Sequence, residues 1–161
     1  MEIEFEDKVL LLKDNQEVTE IMKNYLESRC KLEVITKKST NNALKSLKEN
    51  NFDIIISEFQ MEEISGIEFL KNIRLEKGME IPFIFFTEKM NQKFILKALN
   101  AGANRVIHMG DDILLSCQIL QEALTQEKLN YELIKELKCH RKRYNDNIRG
   151  SFESLGIFKM P

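Results

Sequence analysis

The sequence predicts an α/β fold in which five parallel strands form one sheet covered by helices on both faces. Short apolar runs alternate with segments of helical periodicity, and the run Ile54-Ile55-Ile56 is apolar without alternation, as in a strand buried on both sides. In open parallel sheets the ligand crevice lies beyond the carboxyl ends of the strands. Chemistry is therefore expected at the polar end of this run, Ser57-Glu58.

At 161 residues the chain has room for one domain with a proper core and one appended element. A hydrophobic fraction of 43% and a charged fraction of 31% are those of an ordinary globular protein, and a net charge of -2 argues against a dedicated nucleic-acid surface. Cys30, Cys117 and Cys139 are odd in number and widely spaced, which excludes a disulfide framework and a paired-cysteine zinc site. The start is acidic where a signal peptide would be basic, and no apolar stretch is long enough to span a bilayer, so a cytoplasmic location is expected.

The first strand is read over Lys8 to Lys13, followed by turn and cap residues at Asp14-Asn15-Gln16. Val18, Ile21, Met22, Tyr25 and Leu26 then recur at helical spacing. Leu32 to Thr36 is the second strand, and Ser39 to Asn41 cap a helix carrying Ala43, Leu44 and Leu47. Phe52 to Ser57 is the third strand. Ser65 caps a helix with Ile67, Leu70 and Ile73 inward, and Gly78 fits its exit. Pro82 sits in the first turn of a fourth strand, Ile81 to Phe86. Phe94, Ile95, Ala98 and Leu99 mark a helix ending at Ala101-Gly102, Arg105 to His108 is the fifth strand, and Asp111-Asp112 open a long last helix. That helix is expected from Ile113 to about Tyr144.

Taken together, these residues resemble a two-component receiver domain, the flavodoxin-like module of strand order 2-1-3-4-5 that accepts a phosphoryl group from a histidine kinase. The likeness covers roughly Lys8 to Leu124. The family's magnesium-holding acidic pair falls at Lys13-Asp14, its phospho-accepting aspartate at Glu58, and the glycine that closes the following loop at Gly66. Its hydroxyl residue falls at Thr87, and Ala101-Gly102-Ala103 matches the Ala-Gly-Ala before the fifth strand. The departures lie in the pocket. One acid is Lys13, the acceptor is Glu58, the lysine after the fifth strand is Met109, and the proline after it is Gly110. The switch aromatic is Val106, and the small residue after the hydroxyl is Glu88.

Phosphoryl transfer to a carboxylate needs a positioned nucleophile, a divalent metal and a neutralising cation. Asp14, the Glu58 carboxylate and the Gln60 carbonyl approximate a remnant metal site, but an inward Lys13 would put an ammonium beside it. Glu58 also carries one methylene more than aspartate, and a misplacement of that order costs roughly a hundredfold in rate. Lys13 pointing inward would instead supply a built-in cation, giving a Lys13-Asp14-Glu58 ionic cluster that locks the domain without metal; pointing outward, it is simply solvated. No catalytic group, metal or cofactor is expected on this reading. His108 and His140 have no ligand pattern around them.

Residues 125–149 are read as an extension of the last helix, with Leu129, Leu133, Leu137 and Tyr144 at spacings of a weak coiled coil whose other seam positions include Glu127 and Lys138. Residues 150–161 are read as a tail, or as the beginning of a PAS-like output module. The resemblance implies a homodimer through the fourth helix, fifth strand and fifth helix, with Leu96 and Ile119 available for contact, and a histidine kinase or appended output domain as partner. The leading expectation is a pseudo-receiver that signals by dimerisation or partner contact, without a membrane or nucleic acid. Two competing readings are a phosphorylatable regulator using Mg2+, and a DNA-binding regulator using Arg141-Lys142-Arg143.

Overall fold

A computed structural model describes residues 6–156. Five parallel strands lie in the order β2-β1-β3-β4-β5: β1 Asp7–Leu12, β2 Leu32–Lys37, β3 Ile54–Ser57, β4 Phe83–Thr87 and β5 Arg105–His108. Between them run α1 Gln16–Cys30, α2 Thr40–Glu49, α3 Gly66–Lys71 and α4 Gln92–Asn100, and α5 Ile113–Ser154 follows. This is the flavodoxin-like doubly wound topology with a long C-terminal helix.

Alternation along the strands divides the core in two. Leu10, Leu12, Ile55, Phe83 and Phe85 pack against Ala43, Phe69, Leu70, Phe94 and Ala98 of α2, α3 and α4. Val9, Leu11, Ile54, Ile56, Ile84 and Phe86 pack against Met22 and Leu26 of α1 and Cys117, Leu120 and Leu124 of α5. Both faces are covered, which is why the strands read as unbroken apolar runs.

Several boundaries differ from those the sequence predicts. β3 starts at Ile54: the Asp53 amide still donates to Lys8 O at 2.8 Å, but the Lys8 amide is taken by the Asp53 carboxylate, also at 2.8 Å, so a side chain closes the ladder at this end. Pro82 lies just before β4, where its carbonyl accepts from the Ile55 amide at 2.9 Å and its missing N–H leaves no gap in the ladder. α3 passes into a π turn over Asn72–Glu76, and Arg74 in that turn donates to the carbonyls of Gly102 and Met79 and to Asn104 Oδ1. No periodicity announces such a turn. α5 runs through Gly150 to Ser154, since one exposed glycine costs a helix only about 1 kcal/mol and the Arg149–Glu153 pair spans the position at 3.5 Å. The helix stops at Gly156, whose φ of 68° supplies the left-handed exit. Of the stretch read as a tail, residues 150–154 are helical and residues 157–161 lie outside the described residues.

The chain divides into two compact units, one up to Lys128 and one from Leu129 onward. Within the first, Arg105 Nε donates to Glu127 Oε1 at 2.6 Å and Lys128 pairs with Asp7, tying α5 to β5 and β1. No helix among the described residues is long and apolar enough to cross a membrane.

The cysteines differ in reach. Burial pushes the Cys117 thiol up to about 11, with a smaller contribution from Cys30, whose own pKa burial also raises. Cys139 is exposed. At pH 8 a maleimide is expected to label Cys139 within minutes and to reach Cys117 only on unfolding, as peptide mapping by mass will show. Equal labelling of Cys117 and Cys139 would contradict this packing.

Candidate functional site

Three strand ends build the site. β1 delivers Lys13 and Asp14, β3 delivers Glu58 with Phe59 and Gln60 after it, and β4 delivers Thr87 with Glu88 and Lys89. They line an open cavity of about 190 Å³, smaller than the roughly 300 Å³ at which drug-sized ligand pockets begin. The space suits water or one small group.

At its floor Lys13 points inward. Its Nζ donates to Glu58 Oε2 at 2.7 Å and sits 5.9 Å from the centre of the Phe86 ring. The other carboxylate oxygen, Oε1, accepts from the Phe59 amide at 3.0 Å. The side chain of Lys13 is 3% exposed and that of Glu58 15%, so the pair is nearly desolvated on the lysine side. The strand fixes this arrangement: the Lys13 amide donates to Lys37 O at 3.1 Å and the Glu58 amide to Leu12 O at 2.9 Å.

Asp14 does not join the pair. It is exposed on the rim, and among the described residues no hydrogen bond or ion pair is shown for its carboxylate, so the three-membered cluster reduces to two. Successive residues at a strand end face opposite ways, and here Lys13 takes the inward direction. Gln60 and Glu88 are exposed as well. Thr87 is 2% exposed and donates to Lys89 O at 3.4 Å, a turn contact within its own loop. Val106 is half-buried against the α2–α4 core, Met109 is 4% exposed in the α1–α5 core, and the Gly110 amide donates to Ser116 Oγ at 3.0 Å. Val106, Met109 and Gly110 are thus packing and turn residues. Among the described residues no three His, Cys, Asp or Glu side chains cluster as metal ligands.

Sequence reading missed the ring contact beside the site. Phe59, next to Glu58, lies 3.7 Å centroid to centroid from Phe94 of α4, and Phe94 packs edge-on against Phe85 at 5.5 Å. The available signal was the apolar spacing Phe59, Met61 and Ile64 in a loop, all three packed against the core.

A doubly wound sheet with such a pocket at the carboxyl ends of β1, β3 and β4 defines a class of small signalling domains. The response regulator receiver domain family matches residues 9–109, and the chain belongs to that family. It is similar to the two-component response regulator ARR10 of Arabidopsis thaliana, 32% identical over 98 residues, which cover 60% of this chain and 17% of that protein. It is also similar to the response regulator SaeR of Staphylococcus aureus, 31% identical over 96 residues, 60% of this chain and 41% of the relative. The chain thus matches less than half the length of each of these relatives. Among solved structures, a response regulator receiver domain protein from Clostridium thermocellum superposes with a TM-score of 0.70 at 22% identity, covering 80% of this chain and 99% of that one. The phosphorylated cyanobacterial phytochrome response regulator RcpA superposes with a TM-score of 0.67 at 20% identity, covering 73% and 90%.

Proposed function

We propose that this receiver works without taking up a phosphoryl group and passes on its state through protein contact, its pocket held in one arrangement by the Lys13–Glu58 pair. The observation that carries the reading is the 2.7 Å contact from Lys13 Nζ to Glu58 Oε2. Each oxygen of the Glu58 carboxylate already accepts one hydrogen bond, Oε2 from the Lys13 ammonium and Oε1 from the Phe59 amide, so attack on phosphorus would have to give up part of the pair that holds the pocket. Magnesium demands near-octahedral oxygen ligands at about 2.0–2.1 Å. The donors available are Asp14, Glu58 and the Gln60 carbonyl, and with the buried Lys13 ammonium on Glu58 they do not fit that ion. Leu96 of α4 and Ile119 of α5 are exposed apolar side chains available for contact with a partner or a second copy.

The alternative, a metal-dependent phospho-acceptor, has in its favour the Asp14 carboxylate on the rim of the same cavity. Intact mass after incubation with acetyl phosphate, with and without magnesium, separates the two. The native chain is expected to gain no phosphoryl mass in either condition. An adduct on the native chain would overturn the proposal. An adduct on Glu58→Asp alone would place the loss of acceptance in the acceptor side chain.

A further inference from the structure

The sheet has a second cavity at its other end. Beside the amino ends of β1, β2 and β3, opposite the Glu58 pocket, the last turn of α1 and residues 121–128 of α5 border a space of about 290 Å³, against 190 Å³ at Glu58. That is close to the roughly 300 Å³ at which small-molecule pockets begin. Every residue lining it belongs to the unit that ends at Lys128. Its floor is apolar: Leu32, Ile54 and Leu124 are between 2% and 6% exposed. Burial raises the Cys30 thiol beside them, so it is uncharged at neutral pH and adds to that floor. The rim carries both signs of charge. Arg29 and Glu6 are exposed, and among the described residues neither side chain has a hydrogen bond or ion pair, with the other or with a third group. Asp7 and Lys128 on the same rim neutralise each other. Gln121 Oε1 accepts from the Tyr25 hydroxyl at 2.9 Å, which leaves the Nε2 end of that amide without an acceptor among the described residues.

We propose that this cavity binds a free apolar α-amino acid, with its side chain on the Leu32, Ile54 and Leu124 floor, its carboxylate on Arg29 and Gln121 Nε2, and its ammonium on Glu6. Unpaired charges on a surface are ordinarily just solvated. What sets this pair apart is the apolar floor the two charges share, because an apolar body with one charge of each sign is what a zwitterion presents. A simple anion in the same place would face Glu6, and a simple cation would face Arg29, so either alone meets a like charge that the amino acid neutralises. A ligand of about ten heavy atoms is bound with sub-millimolar strength when its contacts are of ordinary quality. The inference goes beyond the pocket reading and does not rest on it. The two cavities lie at opposite ends of the strands, and a phosphoryl adduct at Glu58 would leave this one as it is.

The test is titration calorimetry of the full chain with L-leucine and L-phenylalanine. Beside them run isocaproate and hydrocinnamate, which lack the ammonium, and isoamylamine and phenethylamine, which lack the carboxylate. At least one of the two amino acids is expected to bind with a sub-millimolar Kd, and its two single-charge analogues at least about tenfold more weakly. No saturable heat from either amino acid up to about 10 mM would overturn the proposal. So would an analogue that binds as tightly as its parent. Arg29→Gln and Glu6→Gln, both at exposed positions, are each expected to weaken the amino acid about tenfold, roughly what one charge-assisted hydrogen bond contributes. Unchanged affinity in either variant would put the ligand elsewhere and overturn the proposal.

Discussion

Glu58→Ala is expected to lower the stability of the receiver unit by about 3–5 kcal/mol, because it leaves a buried ammonium with no anion beside it. Lys13 is 3% exposed, and the Phe86 ring, 5.9 Å from its Nζ, carries no formal charge to replace the carboxylate. Lys13→Ala is expected to cost less, about 1–3 kcal/mol, since the Glu58 carboxylate opens onto the cavity and keeps the Phe59 amide. Replacing both, as Lys13→Met with Glu58→Leu, is expected to recover most of the loss, because an apolar pair of similar volume brings no charge to desolvate. Urea denaturation at neutral pH measures all three. A Lys13→Met with Glu58→Leu variant no more stable than Glu58→Ala would mean that the loss does not come from an unpaired charge and that the pair does not hold the pocket.

The direction of Lys13 was the open point in the sequence, for a physical reason. A lysine at a strand end can lay its stem along apolar surface and send its ammonium either way. What decides between them is the company of Glu58 and Phe86, which come from 45 and 73 residues away in the chain. The five strands were legible because burial on two faces leaves unbroken apolar runs, their order came with the resemblance to receiver domains, and capping residues and glycines mark the helices between. Ser65, for example, both accepts from the Glu68 amide and has its own amide bonded by the Glu68 carboxylate. The π turn at Asn72–Glu76 and the Phe59–Phe94 contact left no such trace, since each depends on partners that only the fold brings together. Asp14 shows the opposite error. Its adjacency to Lys13 in sequence suggested a shared cluster, and strand alternation sends it to the rim.

Gly66→Ala is expected to destabilise the same unit by about 3 kcal/mol, at the upper end of overpacking effects. The cause is space and not backbone angle. A Cβ at Gly66 would stand 2.5 Å from the Glu58 carbonyl oxygen and 2.7 Å from Phe85 Cε1. Neither can give way cheaply. The Glu58 carbonyl accepts from Ser57 Oγ at 2.9 Å, and Phe85 is fully buried between Phe83 and Phe94. The same glycine closes the loop, its amide donating to Phe59 O at 2.8 Å, so any shift that relieves the clash pulls on Glu58 and Phe59 together. Gly150→Ala is the control. Nothing lies within 4 Å of a Cβ there, the site is an exposed helix interior, and alanine is expected to stabilise that helix by about 0.5–1 kcal/mol. Urea denaturation of the first variant and thermal circular dichroism of the second read the two effects. If Gly66→Ala stayed within about 0.5 kcal/mol of the native chain, the loop after Glu58 would be free to move, and the Lys13–Glu58 pair could not be what fixes the pocket.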